Sequence, residues 1–173
     1  AVNAVRVLQD AGVAVTFPQE QSCCGKPAMG MGDRDTGRKL AKKNIEALLA
    51  SNPDAIFSAC PTCTETLEKT YVEIFEDDPA MLAKVKTFSS KVREFTSLVA
   101  ELYEKEGRLM PSNAGGQKVT YHDSCHIRRG LGIYKEPRAL LEATPGVNFV
   151  EMKDADHCCG MAGAFGMKYV EIS

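Results

Sequence analysis

Apolar residues recur along this chain at two periods, and the switching between them outlines the architecture. Ala1, Ala4, Val5 and Leu8 follow the i, i+3, i+4, i+7 spacing of one helical face, which ends near Gly12. "VAVTF" from Val13 then alternates as a short strand. Ala41, Ile45, Leu48 and Leu49 mark a second helical face, closed by Ser51-Asn52-Pro53, and "DAIFSAC" reads as a buried strand leading into "CPTC". Further helical stripes fall at Leu67, Tyr71, Ile74 and Phe75, and at Val92, Phe95, Val99 and Tyr103. These stripes are read as core, with no cofactor role. Beyond them "KVTYH" is a strand, "EPRALLEAT" a helix and "VNFVEM" a strand. Strands alternating with helices predict an α/β fold with largely parallel sheets, in which ligands gather at the carboxyl ends of strands. Cys23, Cys60, Cys125 and Cys158 each lie just past one of these strands, which argues that the cysteine groups converge.

Two stretches of the chain look alike. "VLQDAGVAVTF" precedes "QSCCGKPAMGMG", and "LLEATPGVNFV" precedes "DHCCGMAGAFGMK". In each, a helix end, a glycine and a short strand lead to adjacent cysteines followed by glycine. The two pairs are separated by 135 residues, from Cys23 to Cys158. Such repetition points to a duplicated module. Carried back by the same offset, Cys125 falls about ten residues before Ala1; Cys60 and Cys63, carried forward, fall about 20 beyond Ser173. The complete unit then reads as a single cysteine, a gap, Cys-Cys-Gly, another gap, and Cys-x-x-Cys. The gaps seen are 35 residues (Cys24 to Cys60) and 32 residues (Cys125 to Cys158). The expected organisation is two related α/β modules over residues 1–110 and 117–173, joined by the linker "PSNAGG" at 111–116. On this expectation both modules are truncated, the first at its N-terminal side and the second at its C-terminal side.

Composition narrows the function classes. At 173 residues, 44% hydrophobic and 25% charged, the chain has the make-up of a globular protein with a real core. Its 21 basic and 23 acidic residues leave a net charge of −2, which gives no support to a nucleic-acid or anionic-membrane surface. No apolar run approaches the roughly 18 residues of a membrane span, and no signal peptide is expected. The seven cysteines are the unusual feature. An odd number cannot pair completely within one chain, and clustered spacing differs from a secreted disulfide framework. In a reducing cytosol such groups bind metal or do redox chemistry.

The cysteine spacing bears on which metal. Tetrahedral zinc takes cysteines two to four residues apart, whereas adjacent cysteines point apart and suit one ion poorly. A cluster of several irons offers separated attachment points, and glycine after the pair lets backbone approach the inorganic core. In "CPTCTETLE", Thr62 and Glu65 fit a capping box that starts a helix at Cys63, where the helix dipole favours a thiolate. Cys-Pro-x-Cys between strand and helix equally fits a thioredoxin-like site, and it is the vicinal pairs that weigh towards a cluster. His122, His126 and His157 flank cysteines, either as local hydrogen-bonding groups or as donors and proton sources beside a redox centre. Arg128 and Arg129 either offset cluster charge or lie on the surface. "GMGDRDTGRK" matches no phosphate-binding fingerprint.

"SCCGKPA", "CPTC", "DSCHIRRGLG" and "HCCGMAGAFGMK" together resemble the cysteine-rich CCG domain family. That family includes the catalytic B subunit of heterodisulfide reductase and the iron–sulfur subunits of glycolate-, lactate- and glycerol-3-phosphate-oxidising systems. The lactate-utilisation and glycolate-oxidase iron–sulfur proteins are the most similar group. The resemblance implies electron transfer through iron–sulfur clusters of the 4Fe–4S type, in some members non-cubane. It implies Cys23, Cys24, Cys60 and Cys63 as ligands of one unit, and Cys125, Cys158 and Cys159 as ligands of the other. It also implies a flavin-dependent dehydrogenase partner and other iron–sulfur subunits, in the cytoplasm or held at the inner face of the membrane through those subunits. Two alternatives stand beside it: a heterodisulfide reductase-like thiol/disulfide catalytic subunit, and a structural zinc-binding interaction domain.

Overall fold

The computed structural model describes residues 2–112, 115–161 and 163–172. The chain is an α/β protein. In order come α1 (Val2–Asp10), α2 (Lys26–Gly30), α3 (Arg34–Leu49), β1 (Ile56–Ser58), α4 (Pro61–Glu65), α5 (Tyr71–Ile74), α6 (Pro79–Ser90), β2 (Val92–Glu94), α7 (Phe95–Lys105), β3 (Gln117–Val119), α8 (Lys135–Ala143), β4 (Val147–Phe149) and α9 (Ala164–Lys168). Two π-helical turns, Thr66–Thr70 and His126–Gly130, lie between α4 and α5 and ahead of α8. β1 pairs with β2, and β3 with β4. The β3–β4 pair is parallel, with Gln117 opposite Val147 and Val119 opposite Phe149. Its strands are joined through α8, the crossover that parallel pairing requires. A Cβ at Gly116 would collide with the Gly146 carbonyl oxygen, which accepts the Gln117 N–H at 2.9 Å, so glycine is needed where this pair begins.

The residues fall into two compact units, each assembled from separate stretches of the chain. One comprises Ala1–Phe17, Phe57–Thr64 and Arg93–Asp156, the other Pro18–Ile56, Glu65–Val92 and His157–Ser173. In the first, Leu8, Val99, Ala100 and Ile127 are buried, and the rings of Phe57 and Phe95 lie 6.1 Å apart. In the second, Ala41, Ile45, Leu67, Tyr71, Phe75, Val85 and Phe88 form the core, with Tyr71 and Phe88 stacked at 6.0 Å. Removing a ring of this kind costs about 3–5 kcal/mol.

The helical stripes from Ala41 and from Leu67 are found where the apolar spacing puts them; of the first stripe, Ala1 lies outside the described residues. Several expectations need correction. Residues 13–17 carry no regular secondary structure, with Val13 and Val15 half-buried, because alternation alone supplies no pairing partner. Val92 belongs to β2; α7 starts only at Phe95, where Glu94 caps it by accepting the Thr96 and Ser97 N–H groups at 2.7 and 3.1 Å. The helix after "CPTC" begins at Pro61 rather than Cys63, in keeping with proline's preference for the first helical position. No apolar stripe in the sequence predicts α6; Pro79 at its start and Asp78, whose carboxylate accepts the Met81 N–H at 3.1 Å, mark its N-terminus. Of the linker at 111–116, residues 113 and 114 lie outside the described residues.

Candidate metal centre

The first vicinal pair sits on a loop held from inside the second unit. Cys23 is exposed, while Cys24 is only 7% exposed, so the adjacent side chains occupy opposite environments. Gly25 follows with φ 85°, in the left-handed region, and opens α2. A Cβ there would lie 3.4 Å from the Gly37 Cα, and one at Gly37 would strike the Met29 side chain, so two glycines let the cysteine loop settle on α3. The main chain of both cysteines is then tied down by two buried side chains. Asn44 donates through Nδ2 to the Cys23 carbonyl at 3.0 Å, and Tyr71 donates its hydroxyl to the Cys24 carbonyl at 3.0 Å. Asn44 Nδ2 also donates to the Tyr71 oxygen at 3.0 Å, and its Oδ1 accepts the Ser22 N–H at 2.7 Å. The apolar stripe predicts Tyr71 in the core, where it lies, but does not single out Asn44. The available signal was a polar residue on the apolar face of Ala41, Ile45 and Leu48.

Cys60 and Cys63 lie in the first unit, two and five residues beyond β1. Cys60 is exposed and Cys63 half-buried. Thr64 fixes the start of the helix: its N–H and hydroxyl both donate to the Cys60 carbonyl, at 2.9 and 3.2 Å. Cys125, half-buried in the same unit, stands directly before a π-helical turn, closed by Leu131 N–H donating to the His126 carbonyl five residues back at 2.9 Å. The other π turn starts three residues after Cys63, and in it the Tyr71 N–H reaches the Thr66 carbonyl. Such turns are rare and frequently mark functional positions; nothing in the amino-acid pattern announced them.

A charged network braces the Cys125 region. The buried Asp123 carboxylate accepts from Arg138 at 2.9 and 3.0 Å and from Arg128 at 3.0 Å. Arg138 also binds Glu151 at 2.6 and 2.9 Å. That pairing holds the Glu151 carboxyl below the usual range and pushes the Arg138 guanidinium up. Arg128 lies 3.7 Å from Asp156 and over the Tyr134 ring, so it serves this network, whereas Arg129 is exposed. These side chains line an open cavity of about 480 Å³ with Tyr134, Lys135 and Asp154. His122 and His157 are exposed and His126 half-buried.

The second vicinal pair belongs to the second unit, and Cys158 and Cys159 are both exposed. Gly160 repeats the left-handed turn of Gly25 with φ 75°, and its N–H donates to Cys158 Sγ at 3.4 Å. The likeness extends upstream: Gly12 after α1 and Gly146 after α8 have φ 74° and 76°. The two stretches thus share a left-handed glycine after the preceding helix and another after the cysteine pair. Among the described residues, no three His, Cys, Asp or Glu side chains are gathered closely enough to hold one metal ion. The seven cysteines are free thiols, and a backbone N–H reaches one of their sulfurs, as in the surroundings of iron–sulfur clusters. In donor chemistry these cysteines fit such a group.

Fold and site thus define an α/β protein built on two Cys-Cys-Gly units. The family model of the cysteine-rich domain, CCG, matches residues 2–68 and 119–172, and the chain belongs to that family. It is 37% identical over 169 residues to a probable glycolate oxidase iron–sulfur subunit of Bacillus subtilis, covering 98% of this chain and 37% of that protein. An uncharacterized iron–sulfur protein of Methanococcus maripaludis is 36% identical over 161 residues, 93% of this chain and 29% of that one. Lactate utilization protein A of an Exiguobacterium is 33% identical over 171 residues, 98% of this chain and 67% of that one. The chain thus spans about a third of the length of the first two relatives and two thirds of the third. No solved structure matches it. Among the described residues, no helix is long and apolar enough to cross a membrane.

Proposed function

We propose that this chain is the iron–sulfur electron-transfer part of an oxidoreductase acting on a small 2-hydroxy acid of the lactate or glycolate type. A partner subunit carrying flavin performs the oxidation and hands its electrons to this chain. The observation that carries the reading is the repeated Cys-Cys-Gly turn, with Gly25 and Gly160 both left-handed and the Gly160 N–H on a cysteine sulfur. The glycolate oxidase and lactate utilization names of the relatives supply the substrate class. Cys23, Cys24, Cys60 and Cys63 of the first sequence repeat, and Cys125, Cys158 and Cys159 of the second, are the proposed ligands. An iron–sulfur cluster supplies reversible one-electron transfer when bound. The chain's own residues provide thiols, the Gly160 N–H facing the Cys158 sulfur, and a braced backbone around Cys125. Dehydrogenation of the substrate belongs to the partner's cofactor, so no residue here is assigned to it.

The test is anaerobic purification of the full-length protein, with iron and acid-labile sulfide counted and electron paramagnetic resonance recorded before and after reduction. The expected result is iron with sulfide and a signal that appears or changes on reduction. Cys24→Ser and Cys159→Ser should each lower the iron content. Wild-type iron and spectra in both variants would remove the vicinal pairs from the ligand set. Stoichiometric zinc without iron or sulfide would replace electron transfer by a structural role.

A further inference from the structure

We infer that Asn44 and Tyr71 are positioning residues for the Cys23–Cys24 pair, gripping the main chain of both cysteines so that one thiol stands exposed and the other covered before any metal arrives. Their role towards a cluster rests on the reading above; the grip itself does not. Three remote stretches meet here: Ser22–Cys24, Asn44 on α3 and Tyr71 on α5. Asn44 is 2% exposed and Tyr71 0%. Asn44 Oδ1 accepts from the Ser22 N–H at 2.7 Å and its hydroxyl at 3.2 Å, while Nδ2 donates to the Cys23 carbonyl and the Tyr71 oxygen, each at 3.0 Å. The Tyr71 hydroxyl passes its own hydrogen to the Cys24 carbonyl at 3.0 Å.

A buried polar network with its members satisfied selects one conformation, where apolar packing alone tolerates several. Stacking on Phe88 holds the Tyr71 ring, so its hydroxyl has a fixed position from which to hold the loop. Both cysteine carbonyls are bonded towards the core, and the loop does not have to be ordered at the cost of metal binding. Core packing explains the Tyr71 ring but not its hydroxyl, and it does not explain an asparagine among Ala41, Ile45 and Leu48.

The experiment compares Tyr71→Phe, which keeps the ring, and Asn44→Ala with wild type in the full-length protein. Ser89→Ala is the control, since it deletes another buried hydrogen bond of the same unit, from the Ser89 hydroxyl to the Leu67 carbonyl at 3.1 Å, with neither cysteine as its partner. In metal-stripped protein, alkylation by iodoacetamide is followed at Cys23 and Cys24 by peptide mass spectrometry. Wild type should label Cys23 quickly and Cys24 slowly. Tyr71→Phe and Asn44→Ala should speed Cys24 labelling about tenfold, the factor for a hydrogen bond of about 1.4 kcal/mol lost from the local opening equilibrium. Ser89→Ala should leave it unchanged. After reconstitution with iron and sulfide, the first two variants should release iron to a chelator severalfold faster and alter the resonance line shape, and the control should do neither. Wild-type Cys24 labelling in a folded Tyr71→Phe protein overturns the inference, as does an equal rise in Ser89→Ala. Should Tyr71→Phe not fold, Asn44→Ala decides by the same criterion. If labelling behaves as expected but wild type takes up no iron, the electron-transfer reading falls and the grip stands.

Discussion

Asp123 is the place where one atom exchange should be felt most strongly. Its side chain is 0% exposed, and it receives three hydrogen bonds from two guanidinium groups, those of Arg128 and Arg138. Its N–H also donates to the Ala155 carbonyl at 2.8 Å, which ties the stretch leading to Cys125 to the stretch after β4. Asp123→Asn keeps the shape but turns one acceptor into an N–H₂ facing cationic donors. Breaking a buried ion pair on one side costs about 3–5 kcal/mol, because the remaining charge is left without compensation. Arg138 and Arg128 are 17% and 35% exposed, so water screens part of that loss and the lower end applies, about 3 kcal/mol. That is a large share of the roughly 5–15 kcal/mol of a typical domain. Urea unfolding followed by circular dichroism should show a midpoint shift at unchanged slope. Arg138→Met in the Asp123→Asn background should cost less than it does alone, with a coupling of about 1 kcal/mol or more between contacting partners. A loss below about 1 kcal/mol for Asp123→Asn, or additivity within about 0.5 kcal/mol in the cycle, would refute the view that this carboxylate anchors the network.

Gly25→Ala should cost about 1–2 kcal/mol in urea unfolding, the penalty for a side chain in the left-handed region; Gly30→Ala, whose Cβ meets nothing within 4 Å, should change stability little. Asp33, Asp77, Glu101 and Glu151 are all held below the usual carboxyl range, by the Thr36 N–H, Arg38, Lys105 and Arg138 respectively. Their stabilisation is therefore complete above about pH 4–5 and is lost as pH falls through the lowered values, so the urea midpoint should drop between about pH 5 and pH 2, modestly because these groups are exposed. Burial, then the charges of Glu94 and Asp123, push the Tyr121 phenol up. Stability from keeping it neutral is intact below about pH 10 and declines as pH rises towards the folded value; Tyr121→Phe should remove one late-ionising tyrosine from the ultraviolet titration.

The amino-acid pattern by itself determined the α/β class, the helices at Ala41–Leu49 and 136–143, and the buried stripe from Leu67 to Phe75. Those properties depend on local periodicity, which a single chain displays directly. It determined the duplication too, because a left-handed turn after two cysteines demands glycine at both Gly25 and Gly160. What the pattern left open depends on partners distant in sequence. Residues 13–17 alternate like a strand yet have no ladder among the described residues, whereas Val147–Phe149 alternates likewise and has β3 beside it. Val92 carries helical spacing but pairs in a sheet, because Glu94 caps the helix only afterwards. Asn44 meets Cys23 across 21 residues and Tyr71 meets Cys24 across 47. Only the folded chain decides such bonds, since burial obliges each polar group to find a partner wherever the packing places one.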